Sequence, residues 1–117
     1  MKKHDLRTPD YLGHILEAIR RIRSYTEGHS AQSLQDTPMA LDAVVRNLKI
    51  IGEAAHNVEQ GDPAFAASHP EIRWRTLHAM RNQISHGYFA VDVEIIWSTL
   101  KQHLPVLERD LIRLIGE

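Results

Sequence analysis

The sequence contains no cysteine, which excludes disulfide cross-links and thiolate zinc sites and fits a reducing compartment. It carries no large excess of charge of either sign. A formal net charge of -1 and a pI near 6.7 argue against a domain that coats nucleic acid by bulk electrostatics, although a local basic patch remains open. No apolar run approaches the roughly 18 residues that a membrane-spanning helix requires, so the sequence predicts a soluble, cytoplasmic protein. No segment alternates polar and apolar residues over the length of a strand. No internal repeat, no low-complexity tract and no convincing pairing of histidines for zinc is present.

What is present reads as helix throughout. With 43% hydrophobic and 25% charged residues in 117, the composition is that of an ordinary globular chain with room for one core, and residues 1–117 are expected to form a single domain. Thr8-Pro9-Asp10 has the form of a helix start. Leu12, Ile15, Leu16, Ile19 and Ile22 follow as one apolar stripe, and Gly28 stops it. Residues 29–37 read as a loop with one helical turn around Leu34. From Thr37-Pro38 a second stripe runs through Leu41, Val44, Val45, Leu48, Ile51, Ala55 and Val58, ending at Gly61-Asp62-Pro63. A short turn near residues 64–67 leads to a third helix expected to begin at Pro70-Glu71 and to place Trp74, Leu77, Met80 and Ile84 inward. A fourth starts near Asp92 and carries Ile95, Ile96, Trp97, Leu100, Leu104, Leu107, Leu111 and Leu114, with a kink expected at Pro105. The pattern predicts an all-α, up-and-down bundle of four to five helices.

The third helix concentrates the reactive groups. At about 100° per residue, with Arg81 at zero, Ser85 falls near 40°, His78 near 60°, Asn82 near 100° and His86 near 140°, while Leu77, Ile84 and Met80 lie on the other side. Arg81 supplies a planar fork of donors that stays charged at physiological pH. His86 has the side chain best suited to exchange a proton near neutrality. Asn82, one turn before His86, can orient the imidazole or bond a phosphate oxygen. Such groups suit RNA cleavage by attack of the ribose 2'-hydroxyl on the adjacent phosphate, which needs a base, an acid and anion stabilisation but no metal or cofactor. On a straight helix Arg81 and His86 diverge by about 140°. Two copies around one cleft, as in a symmetric homodimer, would bring the groups together. Taken alone, His86 reads better as a helix-end imidazole bonded to backbone, and Glu53, on the polar side of the second helix, reads as an ordinary surface acid.

Arg81-x4-His86-x-Tyr88, with Asn82 directly after the arginine, resembles the signature of the HEPN superfamily and its HepT-like branch. Ile50-Ile51-Gly52-Glu53-Ala54, Trp74 ahead of Leu77 and Arg81, and Val91-Asp92 through Trp97 followed by Leu104-Pro105 extend the resemblance over most of the chain. The resemblance implies a dimeric helical ribonuclease toxin with Arg81, Asn82 and His86 as catalytic residues and Glu53 and Ser85 in supporting roles. It further implies an MNT-type nucleotidyltransferase antitoxin that silences the toxin by adenylylating Tyr88, Gly52 as a point of close helix approach, and an ion pair between Glu53 and Arg81. The competing reading is a catalytically silent HEPN dimer that serves as a binding module for such a nucleotidyltransferase.

Overall fold

The computed structural model describes residues 7–85 and 92–116, with 83–85 described by backbone only. Its described elements are helices: α1 (Thr8–Thr26), α2 (Ala31–Gln35), α3 (Pro38–Gly61), α4 (Pro63–Ser68), α5 (Trp74–Ser85), α6 (Val93–Ser98), a π-helical segment (Thr99–His103) and α7 (Leu104–Gly116). Four long rods, α1, α3, α5 and the run from α6 through α7, form the bundle, and α2 and α4 are the short turns of the connections. Among the described residues there is no strand, in agreement with the all-α expectation.

The apolar stripes supply the core. Ile15, Ile19, Ile22, Val44, Leu48, Ile51, Val58 and Leu111 are fully buried, and Leu34 of α2 is buried with them. α3 is the central helix and makes its most extensive contacts with α1 and α5. Gly28 follows the end of α1 with φ +79°, a conformation a side chain would resist. At the predicted helix start, the Thr8 hydroxyl donates to Asp62 Oδ2 at 3.0 Å and ties the start of α1 to the end of α3. The other oxygen of Asp62 accepts from Phe65 N at 3.3 Å, so one carboxylate also caps α4.

α5 starts at Trp74, four residues after the expected Pro70. The intervening residues form turns, with Ile72 N donating to His69 O and Trp74 N to Ile72 O. Burying the Ile72 side chain, which is 2% exposed, determines this path. The indole Nε1 of Trp74 then donates to Ala66 O at 3.2 Å and His69 O at 3.3 Å, which locks the entry of α5 onto α4.

Around Pro105 the last rod departs from α geometry as a π turn over Thr99–His103, in which Leu104 N bonds Thr99 O. Widening the helix here relieves the crowding that a proline ring imposes on the preceding turn. Asp92 caps α6 by accepting from Glu94 N at 3.0 Å and Ile95 N at 3.3 Å. Arg23 of α1 grips Glu108 of α7 with both terminal nitrogens, fastening the last rod to the first.

Candidate active site

The contact between α3 and α5 is closest at Gly52. A Cβ placed there would lie 2.7 Å from the Leu77 carbonyl oxygen and would overlap the Arg81 Cβ. The missing side chain therefore lets Arg81 rest its Cβ and Cγ directly on the α3 backbone.

Arg81 is held at two points. Its Nε lies 3.4 Å from Glu53 Oε2 across the interface, and its Nη1 donates to Asn82 Oδ1 at 3.1 Å within α5. A guanidinium carries five N–H donors, so these two contacts orient the fork without exhausting it. The Arg81 and Glu53 side chains are each about one-third exposed (36% and 35%), which leaves the charged groups within reach of a ligand from solvent. The arrangement can bind a phosphate and neutralise charge that develops on it.

Two further polar pairs continue along the same seam. His56 and His78 stack face to face, with centroids 3.9 Å apart and planes inclined by 15°. Beyond them Arg75 Nε lies 3.1 Å from Glu59 Oε2. On α3 the partners advance three residues at a time, Glu53, His56, Glu59, while on α5 they retreat by three, Arg81, His78, Arg75. That is the register of two antiparallel helices meeting along one polar edge.

Of the residues singled out in the sequence, Arg81, Asn82 and Glu53 are therefore brought together. Ser85 is the last described residue of α5, with its side chain outside the described residues, and His86 and Tyr88 both lie outside them. The His56–His78 pair escaped the sequence reading, in which His78 was placed on the polar face without a partner and His56 was not singled out. The available signal was the matching three-residue offset of each histidine from Glu53 and Arg81.

Among the described residues, no group of three or more His, Asp or Glu side chains is arranged to hold a metal ion, and no helix is long and apolar enough to cross a membrane. A cavity of about 480 Å³ lies between the start of α1 and the end of α3, lined by Arg7, Thr8, Pro9, Tyr11, Asn57, Gly61 and Asp62. None of Arg81, Asn82 and Glu53 lines it.

The sequence profile described as "Ribonuclease HepT-like" matches residues 15–114. A protein of Thermococcus cleftensis named "Probable ribonuclease HepT" is 39% identical over 99 residues, covering 85% of this chain and 87% of its own. A protein of Caldanaerobacter subterraneus subsp. tengcongensis named "Putative RNase" is 32% identical over 111 residues, covering 94% of this chain and 96% of its own. No solved structure matches the chain.

Proposed function

This chain belongs to the HepT-like ribonuclease family, and on that basis we propose that it is a metal-independent endoribonuclease toxin in which Arg81, Asn82 and His86 carry the reaction. The observation that supports this most directly is the Arg81 fork, seated on Gly52 and oriented by Glu53 and Asn82. A cation oriented at two points is what a phosphodiester needs as negative charge builds on its non-bridging oxygens.

In the proposed reaction the ribose 2'-oxygen attacks the adjacent phosphorus and loses its proton to a base, while the bond to the 5'-oxygen breaks and that oxygen gains a proton from an acid. A cyclic phosphate and a free 5'-hydroxyl result. His86 supplies the proton transfer, and in a homodimer with a shared cleft two copies of the imidazole divide the roles of base and acid. Asn82 holds the Arg81 fork through its side-chain oxygen. Glu53 and Ser85 complete the support.

Silencing is proposed to occur at Tyr88. Transfer of AMP from ATP to its phenol oxygen by an MNT-type nucleotidyltransferase, the antitoxin of the pair, releases pyrophosphate and the phenolic proton and adds bulk and negative charge where an RNA phosphate must approach.

The deciding experiment compares purified partner-free protein with its His86→Ala and Arg81→Ala variants on RNA in the presence of EDTA. Cleavage by the unaltered chain, lost in both variants, is expected. Equal cleavage by His86→Ala removes His86 from the reaction, and loss of cleavage with EDTA removes the metal-independent mechanism.

A further inference from the structure

We infer that the stacked pair His56–His78 is a positioning device that fixes the rotation of α5 on α3 and so aims Arg81. The inference rests on the ribonuclease reading for its purpose, but its geometry is independent of that reading.

At Gly52 the two helices touch through backbone and the first carbons of Arg81. Trp74, Leu77 and Met80 hold the apolar side of α5 on the core, so what is left to set is a small roll of α5 at its polar edge, where Gly52 has no side chain to resist it. Such a roll would swing the Arg81 fork away from Glu53.

The three polar pairs along the seam differ in how well they resist that motion. Glu53–Arg81 joins two long side chains, each about one-third exposed. Glu59–Arg75 is looser still, because the Arg75 side chain is 91% exposed. Ion pairs of this kind are softened by water and salt and by the many rotamers of the arginine. The histidines are half-buried and have only two side-chain torsions each, and their rings lie nearly parallel at contact distance. They form the stiff rung of the ladder.

Their position matches the task. His78 precedes Arg81 by three residues on α5, and His56 follows Glu53 by three on α3, so the stack stands one helical turn from the ion pair on the same edge. While the rings remain stacked, the Glu53 carboxylate and the Arg81 fork meet. The property required is a flat ring on each helix, so paired phenylalanines should replace the paired histidines.

The test reads Arg81 directly. In ¹⁵N-labelled protein the Arg81 Nε–H signal is identified as the one lost in Arg81→Lys, and its shift and water-exchange rate are compared across variants at one pH. In His56→Ala and His78→Ala the signal is expected to move to the position of a freely exposed arginine and to exchange faster. The double variant His56→Phe/His78→Phe is expected to keep the wild-type signal. His78→Leu fills the space without a stackable ring and is expected to behave like His78→Ala, so the inference stays testable if the alanine variants fold poorly.

An unmoved Arg81 signal in His78→Leu overturns the inference, and so does a Phe/Phe variant that resembles the alanine variants. In cleavage assays His78→Leu is expected to lower kcat about ten- to a hundredfold while RNA affinity changes little. An unchanged kcat, or a loss confined to affinity, is also against it. If the unaltered chain shows the ordered Arg81 signal yet cuts no RNA, the ribonuclease reading fails and the positioning inference stands.

Discussion

Gly52 of α3 and Arg81 of α5 pack so closely that no side chain fits between them. Gly52→Ala is therefore expected to destabilise the protein by about 1–3 kcal/mol, the usual penalty of forced overpacking, despite the better helix propensity of alanine. Gly13 in α1 provides the contrast, because a Cβ there would meet nothing within 4 Å. Gly13→Ala should raise stability by about 0.5–1 kcal/mol. Urea denaturation of the two variants beside the unaltered protein checks both signs.

The Glu53–Arg81 pair should matter far more to activity than to stability. With both side chains about one-third exposed, Glu53→Gln is expected to cost no more than about 1 kcal/mol of folding free energy. Arg81→Lys keeps the charge but loses the planar fork that meets both Glu53 and Asn82, and should lower kcat on the order of a hundredfold. Thermal denaturation alongside steady-state RNA cleavage separates the two effects.

Trp74 should prove to be an anchor of α5. Trp74→Phe removes the indole donor from the Ala66 and His69 carbonyls and is expected to destabilise by about 1–3 kcal/mol. Because α5 carries Arg81, cleavage should weaken as well. A denaturation midpoint equal to that of the unaltered protein would contradict the role assigned to these bonds.

Tyr88 provides the test of regulation. Co-expressed with an active nucleotidyltransferase of the MNT type, the unaltered chain is expected to gain the mass of AMP and lose its RNA cleavage. Tyr88→Phe should gain no such mass and escape silencing. Intact-mass spectrometry followed by peptide mapping decides the point, and AMP found on another residue would release Tyr88 from the role.

The helical stripes were legible because their periodicity reports directly which side of each helix faces the core. Ile15, Ile19 and Ile22 in α1, and Val44, Leu48, Ile51 and Val58 in α3, are buried on the faces their spacing predicts. The start of α5 was less legible, since Pro70-Glu71 has the local form of a helix start and only the burial of Ile72 postpones it to Trp74. Within the candidate site, the chemistry of Arg81 and Asn82 could be read from residue type. The stack of His56 on His78 was less legible, because it depends on the register between two residues 22 positions apart on different helices, which packing at Gly52 sets and which only their equal offsets from Glu53 and Arg81 signal.

The π turn at Thr99–His103 gives the last rod a tolerance to changes in chain length. A π turn accommodates one residue more than the α-helix around it, so this stretch holds a residue the rod can lose. Deleting one position within 99–103, together with Pro105→Ala, would return the rod to a continuous α-helix. Leu104, Leu107 and Leu111 would still face the core, and a deletion that would rotate the downstream face of a regular helix would here leave it in place.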